Sequence, residues 1–300
     1  MPRHLDTNMS VPRWIILSLT AVVLIAIGLG VWWFATSSTT SAGTDTPSPP
    51  PASAGKTDSP STPSTPATPP VSATPTATPT PVLNPLTGRV DTLDGLVPDY
   101  VLPPIENGMV PVLTKVPTEQ KVVFLTIDDG AVKRDSDLAL LEQHGIKASL
   151  FLANTFIAND PGFYKKYTGA GHLIENHTMS HSLGFLKLSY AAQKAEICAM
   201  ADFEEKQYGR RPVFFRPPGG PYSQATRQAV ADCGMKAIVD WEAKANAGGM
   251  DYQVGASLRP GDIVLMHFRP EFPADLDAFL AAQKAAGLKV VLLEDYLGTK

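Results

Sequence analysis

Short apolar runs alternate with longer amphipathic stretches along the C-terminal part of the chain. Residues 122–127, 148–152, 173–174, 213–215, 236–239, 263–266 and 289–293 are largely apolar, several of them rich in β-branched side chains, and read as buried strands. Between them, residues 135–144 place Leu138, Leu140 and Leu141 at helical spacing ahead of Gly145, which suits a helix C-terminus. Residues 161–167, 190–208 (closed by Gly209), 223–233 and 274–286 read as further helices. Strand alternating with helix predicts parallel strands joined by right-handed crossovers. With about seven such strands, a barrel-like α/β sheet is expected rather than a flat one. Residues 108–116, GMVPVLTKV, are a candidate strand or hairpin covering one end of it.

A different pattern precedes these elements. Residues 14–35 carry no charge and are almost wholly apolar, long enough to cross a bilayer, which takes roughly 20 residues as a helix. Arg3 and Arg13 stand before this run and the next basic residue is Lys56, so the positive-inside rule places residues 1–13 in the cytoplasm. Trp32, Trp33 and Phe34 close the run where an interfacial aromatic belt belongs. A cleaved signal peptide is the alternative, but its apolar core spans only about 7–15 residues. An uncleaved anchor is the favoured reading, and both readings export the rest of the chain.

Residues 36–83 are almost wholly Ser, Thr, Pro and Ala, with only Asp45, Lys56 and Asp58 charged. Such a segment lacks the apolar surface to offset the entropy of ordering, and is expected to be a disordered, extended linker. At about 3.1 Å per residue it reaches on the order of 100 Å from the membrane, as a tether or a plain spacer. Residues 84–117 read as an N-terminal extension and 118–300 as one globular domain. The net charge of −4 and the lack of a Lys/Arg stripe exclude a nucleic-acid partner, and a monomer is expected. Cys198 and Cys233 lie in the exported part, where a disulfide is allowed. Two buried thiols are the other reading.

The unusual polar residues fall where the apolar strands stop. FLTIDDG (124–130) ends in Asp128 and Asp129, adjacent like charges that are costly unless a cation compensates them or a function uses them. In ENHTMSH (175–181), His177 and His181 stand four apart, so on a helical turn both imidazoles point one way; surface or capping histidines are the bland reading. Asp129 adds a hard oxygen from another strand end. Two imidazoles and one carboxylate suit a catalytic divalent cation, most simply zinc. Asp128 beside a metal-activated water is then a candidate general base. Arg216 in FFRPPGG (214–220) is a candidate to pin that carboxylate with two hydrogen bonds, or else an ordinary surface arginine. Pro217, Pro218, Gly219 and Gly220 form a stiff turn with bare backbone, which suits either an N–H aimed at an oxyanion or a plain loop. His267 in GDIVLMHF (261–268) reads as a general acid for a leaving nitrogen, or as a satisfied core histidine.

T-I-D-D-G, H-T-M-S-H, R-P-P-G-G and L-M-H, in this order, resemble the motifs of the polysaccharide deacetylases, the NodB-homology domain of carbohydrate esterase family 4. The resemblance covers residues 118–297 and implies a distorted (β/α) barrel of the NodB-homology type. It implies metal-dependent removal of acetyl groups from N-acetylated sugars. Carried over by residue, Asp128 is the base, Asp129, His177 and His181 hold the metal, and Arg216 orients Asp128. The Gly219 N–H serves the oxyanion, Leu265 lines the acetyl-methyl pocket, and His267 is the acid. Two departures stand out. Gly219 occupies a position usually held by tyrosine, so a groove wall is lost. The fourth motif is reduced to VDWEA, with Asp240 directly before Trp241, a candidate on the substrate side, and no earlier aspartate.

The expected protein is a membrane-anchored, extracellular deacetylase of a glycan polymer, with peptidoglycan first and chitin-type oligomers next. A non-catalytic glycan-binding module on the same fold, an O-acetyl esterase and a small-amide hydrolase are the alternatives.

Overall fold

The structure is a computed structural model that describes residues 96–300; the expected membrane anchor and linker lie outside the described residues. Among the described residues no helix is long and apolar enough to cross a membrane.

In chain order the elements are β1 (Val112–Leu113), β2 (Val122–Asp129), α1 (Asp135–Gln143), β3 (Ser149–Leu152) and α2 (Asn154–Ile157). A 3-10 turn (Pro161–Tyr164) then runs into α3 (Lys165–Gly169), followed by β4 (Leu173–Asn176) and a second 3-10 turn (Phe185–Lys187). Next come α4 (Tyr190–Tyr208), β5 (Phe214–Phe215), α5 (Gln224–Asp232) and β6 (Ala237–Val239). The chain closes with β7 (Ala243–Asn246), β8 (Gly249–Tyr252), β9 (Ile263–His267), α6 (Phe272–Ala286), β10 (Lys289–Val290) and α7 (Leu293–Leu297).

The strands form one ten-stranded sheet in the order β1-β6-β5-β4-β3-β2-β9-β7-β8, with β10 pairing β2 off this path. All ladders between the strands are parallel except the β7–β8 hairpin. The α/β expectation holds and the sheet curls as a half-barrel, but it is mixed and ten-stranded rather than a barrel of about seven parallel strands. The hairpin escaped the sequence pattern because AKAN and GMDY lack alternating large apolar residues. Its two-residue loop puts Ala247 and Gly248 at φ 52° and 72°, both in the left-handed region that tight hairpin turns require. The 108–116 stretch does join the sheet: β1 pairs β6, and beyond it Lys115 bridges Asp262 just before β9. The predicted strand at 289–293 stops at Val290 and passes into α7, and the predicted helix at 161–167 is a 3-10 turn followed by α3.

β2 is buried at all eight positions, as a central strand covered on both faces should be. Its alternate residues feed two cores. Val123, Leu125 and Ile127 pack with Leu141, Tyr167, Phe272 and Phe279, whereas Val122 and Phe124 pack with Phe214, Val239 and Tyr296. Asp128 and Asp129 sit at the end of this strand and are therefore buried by the same packing. Cys198 of α4 and Cys233 at the end of α5 form a disulfide, which decides between the two sequence readings of this pair. It joins two helices that already pack against each other over Ile197, Ala201, Ala229 and Val230.

Candidate active site

Parallel pairing aligns the C-terminal ends of β2, β3, β4, β5 and β9, so the side chains beyond them converge. Asp128 pairs with His267 across the β2–β9 ladder, and Asn176, just before His177, pairs with Phe215, just before Arg216. The sequence-predicted residues from four separate strand ends thus meet at one end of the sheet.

Asp129, His177 and His181 each offer one ligand atom, all within 4.8 Å of one another. His181 Nε2 lies 3.1 Å from Asp129 Oδ1 and 3.2 Å from His177 Nε2, and His177 Nε2 lies 3.8 Å from Asp129 Oδ1. Tetrahedral zinc with bonds of about 2.0–2.2 Å holds its ligand atoms roughly 3.3–3.6 Å apart, which these separations straddle. Asp129 Oδ1 is buried with no hydrogen-bond partner despite its closeness to His181. An orphaned carboxylate oxygen facing two imidazole nitrogens is costly as it stands and is satisfied by a shared cation. The residues therefore fit a divalent metal. Burial alone would raise the Asp129 carboxyl, yet the surrounding imidazoles, His181 foremost, hold its pKa at about 2. It is a carboxylate at neutral pH, ready to ligate.

The two histidines are not on a helical turn. Residues 177–181 form an irregular loop after β4, in which Thr178 and His181 adopt φ of 74° and 51°. Asp129 has φ 78°, so two of the three ligands stand in the left-handed region. Non-glycine residues reach this region at a cost of order 1–3 kcal/mol each, and such strain clusters at functional sites. Local bonds hold it in place: Thr178 N–H donates to Asn176 Oδ1 and His181 N–H to Thr178 Oγ1, both at 3.0 Å. Gly130, at φ 81°, completes the turn; a Cβ there would lie 2.6 Å from Ile157. His177 Nδ1 lies 2.7 Å from the Arg216 carbonyl, which fixes its N–H on Nδ1 and leaves the Nε2 lone pair for a metal. Burial pushes its pKa down to about 3, so the ring is neutral, as a ligand must be.

Arg216 is wholly buried. Its Nη1 donates to Asp128 Oδ1 at 2.6 Å and to Thr126 Oγ1 at 2.9 Å; Nε donates to Val239 O and Nη2 to Asp240 O. The expected two-bond fork onto Asp128 is thus a single bond, because the other donors are taken by the frame around it. The guanidinium also lies 4.2 Å over the Phe151 ring and 5.7 Å from Trp241. Asp128 Oδ2 turns the other way, 3.6 Å from His177 Nε2. Burial raises the Asp128 pKa while Arg216 and His267 oppose it. His267 is pushed down to about 4, chiefly by burial.

Leu265 is buried and lies two residues before His267, hence on the same face of β9. Gly219 is exposed at φ 74°, with Leu183 the nearest side chain to where its Cβ would be, 3.6 Å away. Gly220 turns at φ 98° against Trp241, which a Cβ would meet at 3.0 Å. Trp241 therefore wedges between the Gly220 turn and Arg216. Asp240 is a neighbour of Arg216 and Asp128 rather than of His267; burial pushes its pKa up to about 6, and its Oδ1 has no hydrogen-bond partner. Thr126, Phe151 and Arg269, whose Nη2 lies 3.8 Å from Asp129 Oδ2, also belong to the site. Sequence reasoning passed over them: Thr126 sits inside an apolar run, and Arg269 looks like any surface arginine.

The sequence profile described as polysaccharide deacetylase matches residues 115–238. An uncharacterized protein of Streptomyces coelicolor is 36% identical over 195 residues, 62% of this chain and 77% of that protein. The chain belongs to the polysaccharide deacetylase family. A peptidoglycan-N-acetylglucosamine deacetylase of Bacillus cereus is 29% identical over 202 residues, covering 62% of this chain and 92% of that enzyme. Among solved structures, the Bc1960 peptidoglycan N-acetylglucosamine deacetylase superposes with a TM-score of 0.55 at 23% identity. It covers 64% of this chain and 94% of that one, a likeness of fold. As a polysaccharide deacetylase, the chain carries its paired aspartates, its two histidines and its arginine within the matched segment, and Trp241, Leu265 and His267 beyond it.

Proposed function

We propose that this polysaccharide deacetylase is a metal-dependent hydrolase that removes N-acetyl groups from a cell-envelope glycan, peptidoglycan first and chitin-type oligomers next. The observation that carries the reading is the double arrangement at the end of β2. Asp129 faces two imidazoles, while Asp128 beside it is held by a buried arginine.

A divalent cation, for which zinc best suits this donor set, would be held by Asp129, His177 and His181 and would supply a Lewis acid and a water of lowered pKa. Asp128 accepts the proton of the attacking water through Oδ2, with Arg216 keeping it ionised and aimed against the cost of burial. The Gly219 N–H faces the oxygen that becomes negative, and Leu265 receives the acetyl methyl. The acetamide C–N bond breaks as the nitrogen takes up a proton from His267. Because His267 is pushed down to about 4 in the free site, it is neutral at pH 7 and must acquire that proton during turnover. Asp128, which has just taken one, faces it across the ladder. Acetate and a free amine leave.

Residues 14–35 anchor the chain, with residues 1–13 inside the cell and the catalytic domain outside. The 36–83 linker confines a monomeric enzyme to polymer within its reach. Acetate release by the detergent-solubilised full chain on peptidoglycan, chitin oligomers and acetyl-xylan, with and without chelator, tests this. Chelator-sensitive release from an N-acetylated glycan is expected. Release from acetyl-xylan alone would make it an esterase, and no release from a chain holding one divalent ion would make it a binding module.

A further inference from the structure

β4 and β5 deliver His177 and Arg216, yet the ladder between them has a single rung, Asn176 opposite Phe215. β5 itself is two residues long. At that rung the Arg216 N–H donates to Asn176 O at 2.9 Å. A strand held so lightly would place neither side chain accurately.

A buried side chain supplies the missing bonds. Glu175, one residue before Asn176, is fully buried, and its Oε2 accepts the Val213 N–H at 2.8 Å and the Phe214 N–H at 2.6 Å. Its Oε1 accepts from Arg210 Nη2 at 2.8 Å, while Arg210 Nη1 donates to Ile174 O at 3.0 Å. One carboxylate thus ties β4 to residues 210–214, the run leading into Arg216.

Two further carboxyls share this interior without doing so. Glu204 is fully buried with neither oxygen hydrogen-bonded, and Glu294 accepts from Ser149 Oγ at 2.7 Å and lies within hydrogen-bond reach of Glu175. Burial raises both well above the usual range, with Glu175 adding to each. Of the three, Glu175 alone collects a guanidinium and two amides. The Arg210 guanidinium thus pairs with Glu175, 2.8 Å away. A charge inside a protein is expensive, and an apolar side chain at this strand position would pack without that cost. What the carboxylate adds is two further bonds, from the Val213 and Phe214 amides, between β4 and the approach to β5.

We propose that Glu175 is a positioning residue of the active site, clamping β5 onto β4 through the Val213 and Phe214 amides. The clamp sets the His177 Nδ1 to Arg216 O contact, and with it the Arg216 to Asp128 contact. The proposal rests on the reading of His177 and Arg216 as working residues. Its test is placed upstream of substrate so that the two stand or fall separately.

In the full-length wild-type chain, hydrogen exchange at Val213 and Phe214 should be slow although neither amide has a strand partner. Exchange as fast as in the exposed loops would overturn the clamp without any variant. In metal-free Glu175→Gln, which keeps one amide acceptor and the side-chain shape, the His177 Nδ1–H proton resonance should shift or broaden. Zinc affinity measured by calorimetry should fall about tenfold or more, the usual effect of removing a residue that orients a ligand. Arg210→Lys, which leaves the amide bonds in place, should bind zinc within a few-fold of wild type. If the reading of function holds, kcat on glycan falls in Glu175→Gln with KM nearly unchanged. A folded Glu175→Gln chain with wild-type His177 resonance and zinc affinity would overturn the proposal whatever its activity.

Discussion

Asp128 and Arg216 form a buried pair in which one N–H, on Nη1, lies 2.6 Å from one carboxylate oxygen, leaving the other oxygen turned toward His177. The arrangement separates two tasks in one carboxylate: Oδ1 is anchored and Oδ2 is available. Asp128→Asn should keep the anchor's shape and lose the base. The expected loss in kcat is on the order of 10²–10⁴-fold, the usual worth of a general base, with one equivalent of metal still bound. Arg216→Met should do more harm to the fold, since removing one partner of a buried pair costs about 3–5 kcal/mol. Steady-state kinetics beside denaturant unfolding separates the two. Equal activity losses with equal stability losses would contradict the division of labour.

A cation at Asp129, His177 and His181 should make stability depend on metal concentration. Binding to the folded chain alone at a hundred times Kd adds about 2.7 kcal/mol. For a domain of this size that raises Tm by roughly 5–10 °C. Asp129→Asn is the informative variant because asparagine also tolerates the left-handed backbone that residue 129 adopts at φ 78°. It should therefore fold in chelator much like the parent and lose most of the metal-induced rise. Thermal scans of both chains, with zinc and with chelator, check this. A full rise in Asp129→Asn would remove Asp129 from the ligand set.

Much of this site was legible in the sequence, for a physical reason. Strands buried on both faces read as apolar runs, so a polar residue at their C-terminal end stands out, and parallel topology brings such ends together. Asp128, Asp129, His177, Arg216 and His267 were found that way. What escaped was set by tertiary contacts with no local signature. The β7–β8 hairpin is built from Ala, Lys, Asn and Gly, which give no period-two signal. His177 and His181 were expected on a helical turn, since four-residue spacing fits one, but a loop with two residues at positive φ, Thr178 and His181, brings them together. Arg216 looked like a fork for Asp128, and the competing acceptors Thr126 Oγ1, Val239 O and Asp240 O come from other strands. Nothing in LIENH marks Glu175 as buried rather than solvated.

The Cys198–Cys233 bridge closes a loop with a sequence separation of 35. In the chain-entropy model a loop of that length contributes about 4 kcal/mol by restricting the unfolded chain. Cys233 is buried against the α4–α5 contact, so replacing both cysteines by alanine adds a packing loss to the entropic one. Adding a reductant isolates the cross-link more cleanly. Reduced protein should unfold at a Tm lower by roughly 8–15 °C than oxidised protein, at unchanged pH and metal. A shift below about 2 °C would mean that the unfolded chain is already confined without the bridge.

His172 supplies a pH dependence away from the metal ligands. It is buried, and its Nδ1 accepts the Ala148 N–H at 3.0 Å, a bond that protonation of Nδ1 would abolish. Burial pushes its pKa down from the usual 6.5 to about 4. The unfolded chain therefore binds this proton at higher pH than the folded one. The contribution to stability is complete above about pH 6.5 and is lost as pH falls toward 4, with a slope approaching 1.4 kcal/mol per unit and a total of about 3 kcal/mol. Carboxylates such as Asp129, held at about 2, lose their contribution only at lower pH. His172→Asn keeps an acceptor for the Ala148 amide and cannot titrate. Its unfolding free energy, measured in urea from pH 7.5 to 4.5, should fall less steeply than that of the parent, with the two curves converging at the acid end. Parallel curves across that window would show that His172 takes up its proton without opening the β3 start, and that the acid sensitivity lies elsewhere.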